Sequence, residues 1–280
     1  MDKQIIDQFV RHAISEDQGD GDHTSLATIP GNTQGRAKLL VKESGVIAGV
    51  ELALSIFHAV DEQLIVEAYA KDGDKVAEGD VVLVVSGNVQ SILLSERLVL
   101  NCMQRMSGIA TITRDLVNLL EPYKTKLLDT RKTTPGFRYF EKWAVRIGGG
   151  VNHRTGLYDM ILIKDNHVDF AGGIKNAIES ANDYLSNHKK QLEVEIEVRN
   201  LMELSEVLAA GSVDRIMLDN FNYADLTEAV NLIGGRYITE ASGGITRDNL
   251  VAYAACGVDY ISMGALTHSV KSLDLSLKAF

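Results

Sequence analysis

Residues 193–220 read EVEIEVRNLMELSEVLAAGSVDRIMLDN. The opening EVEIEVR alternates acid and aliphatic residues, which is the period of two of a β-strand. Residues 200–210 then carry a helical apolar pattern, and RIMLDN, at 215–220, reads as a second short buried strand. A strand, an eleven-residue helix and a strand form a βαβ unit, which makes the two strands parallel. The pattern extends in both directions. Further strands are predicted at 126–130 (KLLDT), 148–154 (GGGVNHR), 159–165 (DMILIKD), 236–242 (RYITEAS) and 260–264 (YISMG). Helices are predicted at 137–147, 173–188, 223–233 and 246–257. Seven comparable short strands in a row fit a closed or nearly closed α/β barrel better than an open sheet. The GxGxxG fingerprint of a dinucleotide fold is absent.

The first hundred residues are organised differently. Residues 1–18 form an amphipathic helix, 35–42 alternate as a strand, and 49–60 read as a helix. Gly-Asp pairs at 73–74 and 79–80 punctuate short Val-rich strands. That hairpin is like the small β-sandwich of biotinyl and lipoyl carriers but has no lysine at the corresponding tip, so the likeness is structural. Residues 95–120 are expected to be a helix pair joined near Ser107 and Gly108.

The 280 residues carry a net charge of -10, which argues against a broad nucleic-acid surface. The charge is uneven, however: between residues 124 and 175 ten Lys and Arg stand against five Asp and Glu. A basic island in an acidic chain points to a small, multiply charged anion. No apolar run approaches a membrane span, and the start lacks a signal peptide's apolar core. Cys102 and Cys256 make neither a disulfide framework nor a zinc spacing. They read as two buried, reduced thiols of a cytoplasmic protein.

The chemistry of a βα-barrel sits at the C-terminal ends of its strands. Here those ends carry Thr130, Arg131 and Lys132; His153 and Arg154; Lys164; Glu195 and Glu197; Asp219; Ser242, Gly243 and Gly244; and Ser262, Met263 and Gly264. Glu193, Glu195 and Glu197 share one strand face, and buried carboxylates require cations or metal. The competing reading is an edge strand with a solvated acidic face. The two glycine turns suit phosphate held by backbone N–H groups. Arg131 and Lys132 precede a Pro-Gly turn that fixes their loop. Arg138, Lys142 and Arg146 read as a solvated helix face. His167 reads as a helix-start or core histidine, and residues 16–25 (EDQGDGDHTS) as a capped loop rather than a metal loop.

Taken whole, residues 127–167 (LLDTRKTTPGFRYFEKWAVRIGGGVNHRTGLYDMILIKDNH) resemble the signature region of the quinolinate phosphoribosyltransferases. SERLVLNCMQRMSGIAT, EIEVRN, IMLDNF, EASGGIT, ISMGALTHS and the EDQGDGDHTS start extend the resemblance over nearly the whole chain. It implies an N-terminal α/β sandwich domain plus a C-terminal incomplete seven-stranded α/β barrel. The boundaries would fall at 1–107 and 108–269, with 270–280 returning to the first domain. It further implies phosphoribosyl transfer from phosphoribosyl pyrophosphate to quinolinate with loss of CO2, serving NAD biosynthesis. Mg2+ would be the only cofactor, held by Glu197 and Asp219, with Glu195 the other carboxylate in register. The implied quinolinate residues are Thr130, Arg131, Lys132, His153, Arg154 and Lys164. Lys132 or Lys164 would protonate the decarboxylated carbon. The phosphate loops would be Ser242–Gly243–Gly244 and Ser262–Met263–Gly264. A homodimer or higher homo-oligomer is implied, with Arg97 of a second copy closing the site. The alternatives are a relative acting on nicotinate, the molybdenum-transport-associated paralogue, and a non-enzymatic anion carrier.

Overall fold

The computed structural model describes residues 2–280. In chain order the elements are α1 (Lys3–Gln18), α2 (His23–Thr28), β1 (Gln34–Val41), β2 (Gly45–Val46), α3 (Val50–Val60), β3 (Ile65–Ala68), β4 (Lys75–Val76), β5 (Val81–Asn88), α4 (Val89–Leu120), β6 (Lys126–Leu128) and α5 (Arg138–Ile147). They continue with β7 (Ile161–Ile163), α6 (Asp165–Ala171), α7 (Ile174–Asn187), β8 (Val194–Val198), α8 (Leu201–Ala210), β9 (Arg215–Asp219), α9 (Tyr223–Ile233), β10 (Ile238–Ser242), α10 (Leu250–Ala255), β11 (Tyr260–Ser262), α11 (Ala265–His268) and β12 (Leu275–Ala279). Two compact units result. The first comprises residues 2–114, Thr134–Gly149 and Val270–Phe280; the second comprises Asp115–Thr133 and Gly150–Ser269.

The first unit is built on an antiparallel sheet in the order β12-β1-β5-β3, with a two-stranded β2-β4 pair beside it. Strand β12 aligns along β1 from Ala37↔Ala279 to Val41↔Leu275. Asp2 and Asp22 cap α1 and α2 by accepting backbone N–H groups, so residues 16–25 are the capped loop anticipated. Helix α4 is one unbroken helix of 32 residues, not a pair joined at Gly108. Gly108 is there for clearance: a Cβ would stand 2.2 Å from the Lys271 carbonyl oxygen. That reason is invisible to helix propensity, which reads a mid-helix glycine as a break.

The second unit holds six parallel strands in the order β6-β11-β10-β9-β8-β7. The expected strand at 148–154 is reduced to one parallel bridge, Val151 to Leu128. Three consecutive glycines and a hydrogen-bonded polar run leave little to extend a ladder there. The barrel is therefore six strands and a single-residue seventh position, and among the described residues no ladder joins Val151 to β7. Strand β8 is central and buried at all five positions, which removes the edge-strand reading. Its Val194, Ile196 and Val198 face one way and contribute about 1.5–3 kcal/mol each by burial. An acid in place of Ile196 would leave a charge without a partner in that layer.

Local signals fix the loops that carry the site. Asn200 caps α8 by accepting the N–H groups of Met202 and Glu203, both at 3.0 Å. Asn222 caps α9 through Asp225 N–H. Gly211 and Gly234 end these helices at positive φ. At the opposite strand ends, Asp214 accepts Val194 N–H at 2.7 Å and Asp259 accepts Thr239 N–H at 2.9 Å, pinning β8 and β10 where they start. Among the described residues no helix is long and apolar enough to cross a membrane.

Candidate functional site

Because a strand's side chains alternate, each barrel strand sends residues two apart to the same face. The pairs Leu162/Lys164, Met217/Asp219, Glu240/Ser242 and Ser262/Gly264 all line one cavity of about 800 Å³ within the second unit. Thr130, Arg131, Lys132, His153, Arg154, Glu197, Gly243, Gly244 and Met263 line it as well. All the residues singled out at strand ends, except Glu195 beneath the wall, thus meet in one place. Arg97 does not: it is exposed on α4 in the first unit, beside a separate cleft that also holds Glu16, Asp17 and Arg105.

The basic wall is assembled from β6 outward. Asp129, fully buried after β6, accepts His153 N–H at 2.8 Å. That bond places a segment that has only one β-bridge of its own. Thr130 Oγ1 accepts Lys132 N–H and shapes the turn that presents Arg131. Asp159 accepts Thr155 and Gly156 N–H groups and closes the loop after Arg154. Burial, and next the charge of Arg131, pull the Arg154 guanidinium down, while Glu195 and Asp159 pull it up. Arg131 Nε is buried without a hydrogen-bond partner. Two guanidinium groups beside each other with an unused buried donor have the chemistry that suits an anion.

Lys164 Nζ donates to Glu197 Oε2 at 2.8 Å, which ties the basic wall to the acidic one. Asp219 Oδ2 accepts from Asn220, whose own φ of 56° is unusual for a residue other than glycine. Gly243 and Gly244 lie beyond the last β9–β10 pair, Asp219↔Ser242, so their N–H groups are outside the ladder. Gly243 has φ +90° and passes so close to Asn220 that a Cβ would stand 2.3 Å from its Oδ1. Gly264 gives similar clearance to Lys132, 2.9 Å from Cδ. Thr246, where the helix over 246–257 was expected to begin, lies ahead of α10 and donates its N–H to Asn249 Oδ1.

Beneath this wall lies a buried group that the strand pattern only half disclosed. His153 Nε2 stands 3.0 Å from Glu195 Oε2 and 3.4 Å from Glu240 Oε2. Arg215 Nη1 donates to Glu240 Oε2 at 3.2 Å, and its guanidinium lies 4.8 Å over the Tyr260 ring. Burial pulls the His153 ring down, and Glu195 and Glu240 outweigh it, leaving the ring pushed up to about 9. Burial, then Glu240, push Glu195 up. At Glu240 burial is outweighed by His153 and Ser262, which hold it low. The Arg154 N–H points at His153 Nδ1 from 2.7 Å, so it opposes a proton there, because an imidazolium has no lone pair to accept it. The carboxylates favour the imidazolium and the amide favours the neutral ring, but in both forms Nε2 carries a proton. Glu240 was missed from the sequence; its parity with Ser242 on β10 was the available signal.

The remaining residues are less central. His167 Nδ1 accepts Lys164 N–H, a helix-start role. Lys142 is buried, so α5 has no solvated basic face there, although Arg146 is exposed. The neighbouring Glu141 is also fully buried, and it accepts Arg105 and both the N–H and hydroxyl of Thr134. Cys102 is buried as expected, and Cys256 is only half-buried.

Family models for the N-terminal and C-terminal domains of quinolinate phosphoribosyl transferase match residues 22–107 and 109–278. The chain belongs to the quinolinate phosphoribosyltransferase family. Within the family, a mitochondrial decarboxylating quinolinate phosphoribosyltransferase of Nicotiana tabacum is 49% identical over 98% of this chain and 82% of its own length. A probable carboxylating nicotinate-nucleotide pyrophosphorylase of Bacillus subtilis is 44% identical over 97% of this chain and 92% of its own. The crystal structure of NadC from Streptococcus pyogenes matches with a TM-score of 0.93 at 40% identity, covering 99% of this chain and 97% of that one. Human nicotinic acid phosphoribosyltransferase, at 12% identity and TM-score 0.63 over 91% of this chain and 72% of that one, shares the fold alone.

Proposed function

We propose that this chain transfers the phosphoribosyl group of phosphoribosyl pyrophosphate to quinolinate with decarboxylation. The products are nicotinate mononucleotide, pyrophosphate and CO2, which places the enzyme in NAD biosynthesis. The observation that carries the reading is the Arg131–Arg154 pair with its buried unpartnered Nε, opposite a wall holding Glu197 and Asp219. Quinolinate brings two adjacent carboxylates, the charge and shape that two forked guanidiniums bind. Ser242, Gly243, Gly244, Ser262, Met263 and Gly264 offer the backbone surface for the 5-phosphate.

In the reaction the ring nitrogen bonds to C1 of the ribose as the C1–pyrophosphate bond breaks. Positive charge develops on the sugar, and Glu197 and Asp219 lower its energy. The bond from C2 to its carboxylate then breaks and leaves its electron pair at C2, where the pyridinium stabilises it. Lys132 or Lys164, the two lysines that line the cavity, delivers the proton to C2. The donor set suits Mg2+: two pocket carboxylates plus the substrate's own oxygens are what this ion takes. Bound Mg2+, held by Glu197 and Asp219, would neutralise charge on the departing pyrophosphate.

We further propose a homodimer at least, in which Arg97 of a second copy completes the quinolinate pocket. Its exposure on α4 supports this, because an arginine without a salt bridge among the described residues is available to a second chain. The two free thiols suit the reducing cytoplasm. The test is direct. The protein is mixed with quinolinate, phosphoribosyl pyrophosphate and Mg2+, and nicotinate mononucleotide and CO2 are measured. Turnover of nicotinate but not quinolinate would overturn the assignment. Arg131→Ala should raise KM for quinolinate about 100-fold or abolish turnover; near-normal kinetics would sink the pocket assignment.

A further inference from the structure

His153 lines the cavity, yet neither ring nitrogen is offered to a ligand: Nδ1 takes the Arg154 N–H and Nε2 faces two buried carboxylates. We propose that Glu195 is a positioning residue for the substrate's carboxylates, acting through His153 on Arg154 from beneath the pocket wall. The inference rests on the quinolinate reading above.

Three observations support it. First, Glu195 is fully buried, and neither oxygen has a hydrogen-bond partner besides the His153 contact at 3.0 Å. Burying a carboxylate this way is costly unless it serves a nearby positive group. Second, the chain of contacts is continuous: Glu195 holds Nε2, which orients the ring, and Nδ1 fixes the backbone N–H of Arg154 at 2.7 Å. Third, Glu195 attracts the Arg154 guanidinium that Arg131 repels. It therefore lets two like charges stand together before the substrate arrives. Glu240 also faces His153, but it shares its charge with Arg215. Of the two carboxylates, Glu195 is the one that acts on both His153 and Arg154. A proton is not transferred in this role, and Glu195 touches no reacting atom.

The test is Glu195→Gln, which keeps shape and removes charge. Wild-type turnover of quinolinate is measured first, and its absence would overturn the functional reading independently of Glu195. With wild type active, the variant should show KM for quinolinate raised about 10- to 100-fold. The KM for phosphoribosyl pyrophosphate and kcat should stay within about threefold, since no reacting atom is touched. In ¹⁵N-histidine spectra His153 should shift toward the neutral ring with a protonated Nε2 and an accepting Nδ1, because one of the two carboxylates that favour the imidazolium has lost its charge. Equal rises in both KM values, or an unchanged quinolinate KM in folded protein, would overturn the proposal. If Glu195→Gln does not fold, Glu195→Asp keeps the charge at shorter reach. It should give a smaller rise confined to quinolinate, and a rise for both substrates would again overturn it.

Discussion

Replacing Gly243 by alanine should weaken phosphoribosyl pyrophosphate use while sparing quinolinate binding. Gly243 has φ +90°, a conformation that costs a residue with a Cβ about 1–2 kcal/mol. The new methyl would stand 2.3 Å from Asn220 Oδ1, where ordinary contact begins at 3.4 Å, so Asn220 must retreat by about 1 Å. Asn220 is not free to do so quietly. Its N–H donates to Ser242 O at 2.9 Å and its Nδ2 donates to Asp219 Oδ2 at 2.6 Å. A shift of that size therefore moves the Asp219 carboxylate and the Ser242–Gly244 turn together. Misplacement by 1 Å costs a catalytic geometry about 100-fold. We expect kcat/KM for phosphoribosyl pyrophosphate to fall by about that factor, with KM for quinolinate changing less than about threefold. Steady-state kinetics with each substrate varied in turn, alongside a thermal melt to show the variant is folded, provide the measurement. Folded protein with unaltered kinetics, or a loss falling on quinolinate, would refute the coupling of the glycine turn to Asp219.

Other outcomes follow from groups away from the cavity. Burial raises the Asp259 carboxyl, but Lys124 and Thr239 outweigh it and hold it below its ordinary value of 3.8. A depressed folded value means stability that is present above 3.8 and lost as pH falls through the lower folded value. Asp259→Asn should therefore destabilise the protein in urea at pH 7 and much less at pH 3. Burial pushes the Cys102 thiol up to about 12, whereas Cys256 is half-buried. A thiol reagent should modify Cys256 first and reach Cys102 only on unfolding; simultaneous labelling in native protein would contradict this. Glu141→Ala should cost about 3–5 kcal/mol by removing the buried acceptor to which Arg105 and Thr134 donate, read as a lower urea midpoint.

The barrel was legible because its signal is local. In EVEIEVR and RIMLDN the period of two and the polar strand ends are printed in consecutive residues, and they placed Glu197 and Asp219 correctly at the cavity. What escaped depends on residues far apart in the chain. Gly108 looked like a helix break because the carbonyl it clears, Lys271, is 163 positions away. Lys142 looked solvated because its neighbours along the helix gave no hint of its burial. Glu240 sat unremarked in RYITEAS because His153 and Arg215, which give it a purpose, arrive from two other strand ends. The expected strand at 148–154 failed for a different reason: its position is set by Asp129 accepting His153 N–H rather than by a ladder.

The pairing of β12 with β1 has a consequence for synthesis. Strand β5 ends at Asn88 and β12 begins at Leu275, and the whole barrel is translated between them. At 5–20 residues per second a ribosome needs roughly 10 to 40 seconds to cover that interval. For that time β1 has its β5 neighbour but lacks the one on its other side. Its free edge, at Ala37, Leu39 and Val41, is then a template for pairing with another nascent chain. Crowded polysomes and fast overexpression should be where this chain aggregates, and supplying the β12 segment early, by circular permutation, should relieve it.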